Sequence, residues 1–105
     1  MTNLYYIENI GCDDTTCGLA RMTDEEFAVF KRVVENLNKN STYGCMPIIS
    51  VYKINDSFVR LATDNDDLDY ILYMDSSKYV LTDNLIYTWS LDNGVELKEG
   101  VKKVV

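Results

Sequence analysis

Thr23-Asp24-Glu25-Glu26 places the strongest local constraint on what this chain can fold into, because it writes the start of a helix. A threonine that caps free amides, followed three residues later by a glutamate that reaches back, forms a capping box. Three carboxylates in the first turn also suit the positive end of the helix dipole. Phe27, Phe30, Val34 and Leu37 then recur at i, i+3, i+7 and i+10, with Val33 beside them. That spacing predicts one apolar stripe on a helix over 24–38. Asn38-Lys39-Asn40-Ser41-Thr42 ends it with residues that prefer turns.

Around this helix the chain reads as strands. Leu4 to Ile10 is rich in aromatic and β-branched residues and stops at Gly11. Cys12 to Thr16 is turn-like, and Cys17 to Met22 returns as a second strand. Ile48 to Ile54 is a strong strand with Pro47 at its start, where the missing amide matters least. Asn55-Asp56-Ser57 turns the chain, so Phe58 to Ala62 is expected as its hairpin partner. Residues 63–69 form an acidic loop, and 66–74 read equally as a helical turn or a short apolar strand. Strands are expected near 79–82 and 85–91, the latter joined to Val95-Glu96-Leu97-Lys98 by a two-residue Asn93-Gly94 turn. Residues 100–105 either pack or fray. The expected architecture is α+β: one amphipathic helix against a mostly antiparallel sheet containing Ile49, Val51 and Val59. A chain of 105 residues is expected to form one such domain, 1–105.

Charge narrows function more than it narrows fold. Residues 56–96 carry nine carboxylates against Arg60 and Lys78, so this segment alone matches the formal −7 of the whole protein. Such a surface repels nucleic acid and anionic membrane and attracts basic proteins. No apolar run approaches the roughly 18 residues that cross a bilayer. The first residues, Met1 to Glu8, lack the pattern of a signal peptide, so a cytoplasmic protein is expected. On those grounds Asn40-Ser41-Thr42 and Asn55-Asp56-Ser57 are turns rather than glycosylation sites.

The chemistry-bearing patterns are weak. Histidine is absent, which removes the usual general base and the commonest metal ligand. Paired carboxylates can catalyse without it, but only in a cleft that raises one pKa. Asp64, Asp66, Asp67 and Asp69 lie instead in a polar loop, where solvated carboxylates should behave ordinarily. That loop resembles a calcium site with Asp75 at the twelfth position. Asp69 stands where the turn needs glycine, however, and Leu68 where an oxygen ligand belongs. Cys12, Cys17 and Cys45 lack the Cys-x-x-Cys spacing of structural zinc and a fourth ligand, short of a carboxylate completing the set. Cys12 and Cys17 are expected to flank a hairpin turn and Cys45 to enter the core at the head of a strand, all three as structural thiols, neither bridged nor metallated. Neither metal nor cofactor is expected, and no enzyme activity.

What remains is the acidic half as a docking surface. Asp64, Asp66, Asp67, Asp69, Asp75 and Asp83, interleaved with Tyr70 and Tyr73, are the candidate partner-binding residues. Carboxylates would meet Lys and Arg while the rings supply desolvated anchors. In size, acidity and lack of catalytic residues the chain resembles, at class level, small phage-encoded inhibitors of bacterial defence systems, some of which imitate DNA. The resemblance implies a non-enzymatic inhibitor that occupies the basic, nucleic-acid-binding groove of a host protein, with no direct contact to nucleic acid. The competing reading is a small structural or accessory domain whose charge keeps it soluble. A carboxylate-dependent enzyme or a metal-binding protein is the more distant alternative.

Overall fold

The structure is a computed structural model of the chain; it describes residues 1–11, 15–40, 48–67, 71–74, 77–82 and 86–105, with Tyr73 and Met74 described by backbone only. Its centre is strand β1 (Asn3–Ile10), which pairs antiparallel with β2 (Thr15–Met22) on one side. On the other side it pairs with β3 (Ile48–Ile54). Successive side chains of a strand point to opposite faces, and β1 is covered on both. Leu4, Tyr6 and Glu8 are buried on one face, while Tyr5 is buried on the other. This explains a run with so little polar alternation.

The helix α1 (Asp24–Lys39) covers the Tyr5 face. Its capping box forms as expected: Glu26 N–H donates to Thr23 Oγ1 at 3.1 Å, and Thr23 N–H donates to Glu26 Oε1 at 2.9 Å. Val34 is buried against Tyr5 and Val51, with Phe27 and Phe30 packed partly buried beside it. The Phe27 ring stacks on Tyr5 with centroids 4.5 Å apart. At the far end Asn38 behaves like a strand residue, donating to Ile49 O at 2.7 Å and accepting from Ile49 N–H at 2.8 Å. The expected stripe is corrected at two positions. Val33 and Leu37 are 51% and 52% exposed, because the buried face turns from Phe30 and Val34 toward Asn38.

The opposite face of the sheet is covered by the second half of the chain. Here the expected hairpin between β3 and the next strand is overturned. After Ile54, the Asn55 side chain accepts from Ser57 N–H at 3.0 Å and starts a 3-10 turn, Asp56–Phe58. The turn drives Phe58 into the core and lifts the chain off the sheet. Strand β4 (Val59–Leu61) therefore belongs to a separate three-stranded sheet, and Val59 is not part of the main one. In that second sheet β5 (Leu72–Met74) and β4 flank β6 (Ser77–Leu81). The segment whose state was ambiguous thus ends as strand at 72–74, and the next strand begins at Ser77 rather than 79.

Strands β7 (Tyr87–Ser90) and β8 (Gly94–Leu97) make a two-stranded ribbon of their own. Ser90 pairs with Gly94, so the connection is the three residues Leu91-Asp92-Asn93 instead of the expected two. Gly94 takes the left-handed step, with φ +67°. This is the longer hairpin class, in which glycine supplies the positive φ at the end of the turn. The final residues pack. Strand β9 (Lys102–Lys103) fills the β3 edge that β4 leaves open, and Val104 N–H donates to Val51 O at 2.8 Å. The fold is α+β, one helix on a mostly antiparallel sheet.

Candidate interaction surface

The acidic loop after β4 is held by its own arginine. Arg60 projects a guanidinium fork onto Asp66, with Nη1 to Oδ2 at 3.0 Å and Nη2 to Oδ1 at 2.7 Å. Asp66 Oδ2 also accepts from Thr63 N–H at 2.6 Å and from Thr63 Oγ1 at 3.2 Å. Asp66 N–H returns to Thr63 O at 3.1 Å and closes the turn. Two-toothed pairing of this kind is the strong form of the arginine–carboxylate contact. The Arg60 fork, followed by the Thr63 amide, holds the Asp66 carboxyl well below the usual carboxylate range. The sequence expectation of ordinary solvated carboxylates therefore fails at Asp66, whose lone pairs are engaged within the loop.

The remaining candidates divide. Asp64 and Asp67 are exposed on the same loop. Tyr73 lies in β5, its backbone paired with Lys78, and its side chain is outside the description. Asp69, Tyr70, Asp75 and Asp83 fall outside the described residues, as do Cys12, Cys45 and Pro47. The described acids of the wider segment, Asp56, Asp92 and Glu96, are all exposed. Asp56 binds Arg21 of β2 at 2.7 Å across the surface.

The ribbon contributes a feature that the candidate set missed. Trp89, Leu91, Val95 and Leu97 are exposed by 64%, 89%, 50% and 38%, with Asp92 and Glu96 among them. Alternation along 87–97 announced the strands, but an alternating pattern normally means that one face is covered. Only the tertiary structure shows that this face is open.

The base of the ribbon meets a buried polar cluster. Tyr87 Oη donates to Glu8 Oε2 at 2.9 Å, and its ring stacks on Tyr52 with centroids 5.6 Å apart. Ser50 and Cys17 flank Glu8 on the neighbouring strands. Tyr6 Oη donates to Cys17 Sγ at 3.0 Å. Burial, reinforced by the Glu8 carboxylate, pushes the Tyr87 phenol far above its ordinary range. Burial and then the Cys17 contact raise Tyr6 similarly, and burial followed by the charge of Glu8 raises Tyr52. Glu8 Oε1 is buried and has no hydrogen-bond partner among the described residues. Cys17 is a free thiol on an exposed residue.

Among the described residues no three Cys, Asp or Glu come together to hold a metal ion. A surface cleft between Thr2, Asn3, Arg21, Lys53, Asn55 and Asp56 carries one carboxylate, already bound to Arg21, rather than a carboxylate pair. No helix among the described residues is long and apolar enough to cross a membrane. No family model, characterised protein or solved structure matches the chain.

Proposed function

We propose that this protein is a non-enzymatic acidic interaction protein that docks on a basic protein surface. A nucleic-acid-binding groove of a host protein is the kind of surface that suits it, and occupying such a groove would inhibit the host protein. The reading rests on one observation. The acidic segment sets nine carboxylates against Arg60 and Lys78, and Asp64, Asp92 and Glu96 are exposed, so negative charge dominates the field of that half. A field of one sign steers an oppositely charged partner during encounter. The exposed Trp89 adds the kind of aromatic anchor that dominates binding energy once desolvated.

The test uses immobilised protein to capture a partner from a host lysate, followed by binding measurements with that partner over a salt series. Asp64→Asn, Asp67→Asn, Asp92→Asn and Glu96→Gln together should slow association at least tenfold at low salt and flatten the salt dependence. Asp66 is left intact, because its loss would open the loop and confuse charge with structure. Unchanged association of the fourfold variant overturns the proposal.

A further inference from the structure

The β7–β8 ribbon is built as a projecting finger. At its base Ile86 is buried in the core, Lys98 N–H donates to Ile86 O at 3.0 Å, and Tyr87 is clamped between Tyr52 and Glu8. At its tip Asn93 N–H donates to Ser90 Oγ at 3.1 Å. Pairing of Trp89 with Val95 and of Tyr87 with Leu97 puts these four side chains on one face. Tyr87 turns into the molecule at the base, leaving Trp89, Val95 and Leu97 with Leu91 at the turn as an open apolar strip. Asp92 in the turn and Glu96 on the opposite face give the finger a negative rim.

We infer that this ribbon is the anchor of the interface: its Trp89 face enters an apolar slot on a protein whose rim is lined with Lys and Arg. The inference rests on the acidic docking reading above and names the element that would supply affinity where the carboxylates supply steering. Charge complementarity selects the occupant. Two copies meeting through this strip would each bring a net −7 to the contact, so like charge opposes self-association. An anionic membrane is repelled in the same way. A held base and an ordered turn mean that little freedom is lost on insertion, which favours affinity.

Trp89 is the only tryptophan, so its emission reports on the strip directly. The probes are an 18-residue helical peptide with a leucine stripe flanked by lysines, its leucine–glutamate counterpart, oligolysine, and phosphatidylcholine vesicles. The lysine-flanked peptide should shift Trp89 emission to the blue. Its affinity, read by calorimetry, should fall at least tenfold in Trp89→Ala and again in Leu91→Asn, with both variants retaining the wild-type circular dichroism spectrum. Oligolysine should bind without moving the emission, and the glutamate peptide should not bind. An emission unmoved by the lysine-flanked peptide overturns the inference. So does an equal response to the glutamate peptide or to vesicles, or a shift produced by raising the concentration of the protein alone. Loss of peptide binding in the fourfold acidic variant but not in Trp89→Ala would leave the docking reading standing and reject the finger. Loss in Trp89→Ala alone would reject steering by the acids.

Discussion

Val33 and Val34 are neighbours of the same chemistry with opposite surroundings: one is half exposed and the other is sealed against Tyr5 and Val51. Truncating Val34 to alanine removes two buried carbons and leaves a cavity, and should lower stability by about 2 kcal/mol. Val33→Ala should stay within about 0.5 kcal/mol, as at other surface positions. Urea denaturation of the two variants checks both figures, and similar losses would mean that the helix is rotated. The same dependence on neighbours governs the acids. Asp66 and Asp67 adjoin in the chain, yet Asp66 closes a turn with Arg60 and Thr63 while Asp67 remains exposed.

Elements are decided by their ends. Helix α1 begins where Thr23 and Glu26 satisfy each other's amides, and the backbone N–H of Thr23 holds the Glu26 carboxyl below its ordinary range. Thr23→Ala removes the acceptor for the Glu26 amide and should lower the unfolding free energy by about 1 kcal/mol. Thermal and denaturant unfolding followed by circular dichroism measure that loss; an unchanged midpoint would show that tertiary packing alone starts the helix. At the other end Asn38 stitches the helix to β3 through both polar groups of Ile49. That link joins two elements through a side chain that sequence rules read only as a helix stop. In the ribbon, Asn93-Gly94 correctly marks the turn and Gly94 takes a positive φ, but the loop is one residue longer.

For the molecule as a whole, the tyrosine cluster ties the first strand to the ribbon across 79 residues of chain. Tyr6, Tyr52 and Tyr87 are all raised above their ordinary pKa, chiefly by burial. The sign follows from proton counting. Above about pH 10 an unfolded tyrosine loses its proton while these three keep theirs, so the unfolded state binds fewer protons. Their contribution to stability is therefore full below about pH 10 and is lost as pH climbs toward the raised folded values. In an alkaline titration followed by tyrosinate absorbance, these three rings should ionise only together with loss of the fold. A smooth titration of all eight tyrosines near pH 10, with native circular dichroism retained, would contradict the buried cluster.

Local chemistry alone determined the helix and its capping box, the first three strands, the ribbon with its glycine turn, and the α+β class that follows from one helix among strands. These depend on contacts within a few residues, where side-chain periodicity and cap geometry leave few alternatives. Tertiary structure decided which strands pair. Asn55 could open either a hairpin or a 3-10 turn, and burial of Phe58 in the core selects the turn and sends β4 to a different sheet. It also decided exposure: the alternation at 87–97 is the same whether or not a second layer covers it, and in this fold the Trp89 face is left open. Net charge was countable from composition, but the partner of each charge was not. Arg60 meets Asp66 only because the loop after β4 folds back within hydrogen-bond reach.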